Sequence, residues 1–252
     1  MAELEFTFDE FVSELKAIGR IADPFIHTES KHILPQLIDD LRNIQAADYD
    51  RPFSWQIPED RPLKTITSRG QYEKATRLGR EHVFAELTSI WEIARVRRKR
   101  REPERFVLKG KTSTMIRLRR DNPARVFQEI AMWRTEVGVA SSPGCHFHIQ
   151  ILGEHSRKPY PKSLPIPRFP SIIATPMMVL EYVLSELFQD EWIKRASEGT
   201  SDMNVWYGIQ SARFLRLLSW HSDAVRTKSG SPWIAIKSEK PASNLFLETP
   251  KK

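Results

Sequence analysis

Two imidazoles and an amide occupy alternate positions in Cys145-His146-Phe147-His148-Ile149-Gln150. An imidazole titrates near neutral pH and can serve as nucleophile, acid, base or metal ligand. An amide does not ionise, so it hydrogen-bonds a ligand oxygen or orients a neighbour. Alternate side chains of a strand share a face. The spacing therefore predicts His146, His148 and Gln150 opening together into an accessible hollow, with Phe147, Ile149 and Ile151 packed on the core behind them. By the same alternation Cys145 falls on the apolar side, as a small buried hydrophobe rather than a thiol nucleophile.

The His-x-His-x-Gln pattern resembles the active-site strand of one branch of the histidine-triad superfamily. That branch includes galactose-1-phosphate uridylyltransferase and the diadenosine polyphosphate phosphorylases. The resemblance implies that His148 attacks an α-phosphate to form a nucleotidyl-histidine, with His146 supporting it and Gln150 holding the phosphoryl oxygens. It also implies that the turn Ser141-Ser142-Pro143-Gly144 lies beside the phosphates. Phe147 departs from the family, which often has proline or a small residue between its histidines.

Other chemistry fits the same residues. Paired histidines can act as acid and base in RNA cleavage, where the 2′-hydroxyl is the internal nucleophile. Two histidines two apart on a strand can also chelate zinc, given further ligands such as Glu154, His155 or His221. The plainest alternative is a solvated strand face whose histidines make ordinary hydrogen bonds. The leading reading needs neither a metal nor a cofactor.

Charge points the same way as the histidines. The 39 Lys and Arg exceed the 32 Asp and Glu, for a net +7, which favours polyanionic partners through counterion release. The excess concentrates in Arg95-Val96-Arg97-Arg98-Lys99-Arg100-Arg101, followed by Arg117, Arg119 and Arg120. These residues are the candidate nucleic-acid contacts, the first run as a projecting tip that clamps phosphates. The alternative is a solvated loop protecting a sheet edge. Arg168, between Pro167 and Phe169, is a further cation for the histidine face. The function expected is phosphate-directed action on nucleic acid or a nucleotide, by histidine-dependent phosphodiester cleavage or nucleotidyl transfer. The other class is a non-catalytic nucleic-acid-binding or assembly subunit, including one in a toxin or defence system.

Composition bounds these readings. With 40% hydrophobic residues the 252-residue chain can build a core without staples, and one cysteine excludes an internal disulfide framework or a cysteine-rich zinc site. No segment approaches the roughly 20 apolar residues of a membrane span. The acidic start lacks a secretory apolar run, so the expected location is cytoplasmic, with no membrane partner.

The elements that must position the histidines follow from period and punctuation. Thr7-Phe8-Asp9-Glu10 has capping-box spacing ahead of a helix carrying Phe8, Phe11, Val12, Leu15 and Ile18, with Gly19 as its stop. A second helix is predicted near 30–46, then a polar connection over 48–62. Residues 71–96 fit a helix passing into a strand near Ser89. Phe106 to Leu108 and Met115 to Leu118 read as strands joined by a turn at Lys109 to Thr112, and two more strands cover 126–133 and 145–152. The proline-rich stretch 159–170 must be extended, and Thr175-Pro176 opens a helix. Ser201 or Asp202 opens the last helix, with Trp206, Phe214 and Trp220 packing the final two helices together and Trp91 and Trp133 in the core. The fold class expected is α+β: an antiparallel meander of about four to five strands, an N-terminal helical pair and two C-terminal helices. The corresponding regions are 1–50, 51–155, 156–237 and a mobile tail over 238–252.

Overall fold

A computed structural model describes residues 3–68, 83–97, 102–120, 128–138, 145–152 and 168–247. Phe8, Phe11, Leu15 and Ile18 lie on the buried face of α1 (Phe8–Ala22). Its capping box does not form. Thr7 makes no side-chain cap bond, and Glu10 accepts instead from the Arg213 guanidinium. Nor does Gly19 stop the helix, because its backbone stays outside the left-handed region; the chain leaves helical geometry only near Asp23-Pro24. In α2 (Ile33–Ala46), Leu34, Leu37, Leu41 and Ile44 are buried, and Pro35 sits in the first turn, where a missing N–H costs nothing.

The strands are β1 (Glu5–Thr7), β2 (Pro52–Ile57), β3 (Leu63–Lys64), β4 (Val83–Val96), β5 (Arg105–Arg120), β6 (Gln128–Val137), β7 (Phe147–Leu152) and β8 (Arg168–Pro170). They form one antiparallel sheet in the order β2-β4-β5-β6-β7-β8, with β3 also on β4 and β1 also on β5. Three helices follow: α3 (Pro176–Ala196), α4 (Ser201–Thr227) and α5 (Pro232–Ser238). Thr175 caps α3 and Thr200 caps α4, each accepting from a backbone N–H at 3.2 Å. The chain is therefore α+β, with more strands than the sequence suggested. No helix among the described residues is long and apolar enough to cross a membrane.

Four local expectations are corrected. Residues 83–89 are strand, not helix; both faces of β4 are buried there, so apolar residues fall at both parities and imitate a helical period. Residues 109–112 do not turn. β5 continues through them as a bulge: between the pairs Trp91–Thr112 and Ile93–Leu108, Lys109, Gly110 and Lys111 stand opposite Glu92 alone. Gly110 makes room for it, since a Cβ there would lie 1.9 Å from Glu92 Oε2. The connection over 48–62 contains β2, whose Trp55 donates from Nε1 to the Leu37 carbonyl at 3.0 Å. The tail is packed as far as Leu247: Glu5 N–H donates to the Ser243 carbonyl, and Phe246 is buried.

The helices cover one sheet face. Ala85, Leu87, Trp91 and Ile93 of β4 join Phe106, Leu108 and Ile116 of β5 and Phe147 of β7 in a single core with α1 and α3, and Trp133 packs against it. Phe6 stacks between Phe106 and Phe246, with ring centroids 5.5 and 5.3 Å away. Within this apolar mass lies Arg213 of α4, paired with Glu14 and Glu10 of α1. Burial works against its charge, yet the two carboxylates hold the guanidinium above its ordinary pKa. Thr175 and Gln210 also donate to Glu14. α4 thus lies along α1, and Trp220 reaches Phe147, 5.7 Å between centroids.

Candidate functional site

The opposite sheet face carries the polar residues. Register sets His148 beside Glu136, which stands beside Ser113; the next row runs Gln150, Arg134, Met115 and Thr88. A third row places Arg117 between Met132 and Glu86. The expected alternation holds for His148 and Gln150, because Phe147 is in the helix-side core while Ile149 and Ile151 take the same parity as Phe147.

His148 is held at both nitrogens. A carbonyl can only accept, so Nδ1 donates to Cys145 O at 3.0 Å. That leaves Nε2 facing Glu136 Oε2 at 3.0 Å, an ion pair whenever the ring is doubly protonated. Arg134 ties the row together: its Nη2 donates to Gln150 Oε1 at 2.7 Å, and its Nε lies 2.9 Å from Glu136 Oε1. With its oxygen used, Gln150 offers its amide nitrogen as a donor. Arg119 donates to Glu86 at 2.7 Å, and Arg117 lies within 4.0 Å of Glu59 and Glu129.

Two expectations about the histidines are corrected. The side chains do not open into a hollow: His146, His148 and Gln150 are 4%, 2% and 7% exposed. His146 also does not support His148 by hydrogen bonding. Neither of its ring nitrogens has a partner among the described residues, and the ring instead meets Phe147 edge-on at 5.0 Å. Burial, then the nearby charges of Lys240 and His148, push its pKa down to about 4, so it is neutral at neutral pH. Cys145 is buried as expected, and burial raises its thiol pKa.

The basic run and the histidines do not form one site. Arg95 ends in structural contacts: it donates to Ala47 O and Glu104 Oε1, both at 2.9 Å, and lies 4.1 Å over the Tyr49 ring. Arg97, 80% exposed, stands 3.8 Å from Asp50. Arg98, Lys99, Arg100 and Arg101 lie outside the described residues, as does the 141–144 turn. Val96 pairs with Arg105, so Arg95 and Arg97 stand at that end of the β4–β5 pair. Six residues of β4, from Val96 to the Ile90 that pairs with Ser113, separate that end from the Ser113 row, about 20 Å at strand rise. Arg117 and Arg119 are correspondingly not free clamps, since carboxylates already hold them; half-buried Arg120 ends β5 one position beyond. Arg168 takes the register position beside Gln150.

Among the described residues, no group of three metal-ligating side chains forms; Glu154 and His155 lie outside them, and His221 bonds the Ser171 backbone. Glu136 and Arg134 are the site residues that sequence reasoning missed. Their signal was present, since Met132, Arg134 and Glu136 alternate on the strand before the histidines, but only the register shows which row each joins. The chain matches no family model, no curated protein and no solved structure.

Proposed function

We propose that the protein binds a phosphate of a nucleotide or nucleic acid on the polar face of β6 and β7, with His148 moving a proton at the phosphoryl centre. The observation that carries this reading is the His148–Glu136–Arg134–Gln150 row, with Nε2 of His148 3.0 Å from Glu136 and Arg134 bridging Glu136 and Gln150. A ring fixed by a carbonyl at Nδ1 presents Nε2 in one direction. Glu136 faces that nitrogen and gives it up when a phosphoryl oxygen takes its place. Arg134 and the Gln150 amide supply donors for that oxygen. The resemblance to the nucleotidyl-transferring histidine strand likewise puts His148 at the phosphoryl centre, there as the nucleophile, and Gln150 on the phosphoryl oxygens. His146, neutral and without a hydrogen-bond partner among the described residues, has no proton-transfer part in it.

A specific observation also favours the non-catalytic class: His148 is buried, and Arg95, Arg117 and Arg119 are matched by carboxylates. There the row is a structural polar layer, and binding falls to the basic run that begins at Arg95. Assays of RNA, DNA, nucleotides and dinucleoside polyphosphates, with and without chelator, separate the two. The catalytic reading expects turnover of one class, cut about 100-fold or more by His148→Ala with binding retained. No turnover, or turnover unchanged in His148→Ala, ends it. The binding reading then expects Arg98, Lys99 and Arg100 changed together to weaken binding and flatten its salt dependence.

A further inference from the structure

α4 spans 27 residues, about 40 Å, and buries Met203, Trp206, Gln210, Arg213, Leu217 and Ala224 toward the molecule. Its outward side carries a second line at alternating four- and three-residue steps: Asn204, Gly208, Ser211, Leu215, Leu218, Ser222 and Val225. That is the spacing of a helix–helix seam, and none of the seven is charged although the chain has a net +7. Leu215, Leu218 and Val225 are 67%, 48% and 38% exposed, and Tyr207 beside them is 70% exposed. Leu215 and Leu218 stand together at the middle of this uncharged line, exposed large aliphatic side chains with polar or small neighbours on either side.

Gly208 supplies a second and independent observation. It stands inside the helix at an ordinary φ, and a Cβ built on it meets nothing within 4 Å among the described residues. Glycine there costs about 1 kcal/mol against alanine, and no contact among the described residues requires it. A close approach by another backbone would.

The order of the line says which one. Reversed about the point between Arg216 and Leu217, Leu215 maps onto Leu218, Ser211 onto Ser222 and Gly208 onto Val225. Large side chains meet at the centre, serines flank them, and each end sets a valine against a glycine. A two-fold interface requires such self-complementarity, each patch facing its own reversed copy. We infer that a second copy of this chain covers α4, the two helices antiparallel. This holds whatever the polar sheet face does, because α4 contributes nothing to that face.

The test is mass in solution, followed by geometry. At tens of micromolar, sedimentation should give twice the 29.3 kDa chain mass. Leu215→Glu with Leu218→Glu should give the single-chain mass with unchanged circular dichroism, since both positions face outward. In the antiparallel pair, oxidation should link the Gly208→Cys/Val225→Cys double variant between chains while neither single variant links. Seventeen residues, about 25 Å of helix, separate the two positions in one chain, so no internal bond can form. Buried Cys145 does not compete. A monomer throughout this range, or links in the single variants, overturns the inference.

Discussion

His146 is a buried base that gains nothing from its burial, and that makes its effect on stability calculable. Its pKa falls from 6.5 to about 4 in the folded protein, chiefly through burial. The unfolded chain therefore takes up the proton first as pH drops. The stabilising difference is present above pH 6.5 and lost as pH falls through the folded value near 4. At 1.36 kcal/mol for each pKa unit, the loss between pH 7 and pH 4 is about 3 kcal/mol from this residue. His146→Leu removes the titration, keeps a similar volume and takes away two ring nitrogens that lack partners among the described residues. At pH 7 the variant should match or exceed the wild type, because an unsatisfied buried polar atom costs about 1–3 kcal/mol. Urea unfolding at half-unit steps from pH 7.5 to 4 gives both curves. The carboxylates titrate in both proteins, so the difference isolates His146. Parallel curves over that range, or a His146 ring resonance titrating near 6.5, would refute the reasoning.

The remaining predictions concern what holds the sheet and helices together. Arg213→Met strands Glu14 among apolar groups and should cost about 3–5 kcal/mol in urea unfolding, whereas adding Glu14→Gln should recover part of the loss. Gly110→Ala sets a methyl against the carboxylate end of Glu92, which can swing aside, so it should lower stability by at most about 1 kcal/mol; Glu92→Ala in the same chain should remove that cost, as measured by thermal unfolding.

Most of the helical part of the fold was legible because its signals are local. Thr175-Pro176 announces α3, and Ile33, Leu37, Leu41 and Ile44, expected on one face of α2, are buried there. The misreadings share a cause. Val83 to Ser89 looked helical because β4 is buried on both faces, which erases the two-residue period. Lys109 to Thr112 looked like a turn because glycine between lysines usually is one, but Gly110 answers a side chain on the neighbouring strand. The capping box at Thr7 failed because Glu10 found a guanidinium 203 residues away.

From its residues alone the chain specified an α+β fold, an antiparallel sheet and a strand with His148 and Gln150 on one side, since alternation and capping need only near neighbours. Tertiary structure decided everything that depends on which strand lies beside which. It joined Glu136 and Arg134 to the histidine row, left His146 neutral and unpaired among the described residues, and set Arg95 at the other end of the β4–β5 pair. Burial and pairing arise from register between segments distant in sequence, and register is a property of the assembled sheet rather than of any one strand.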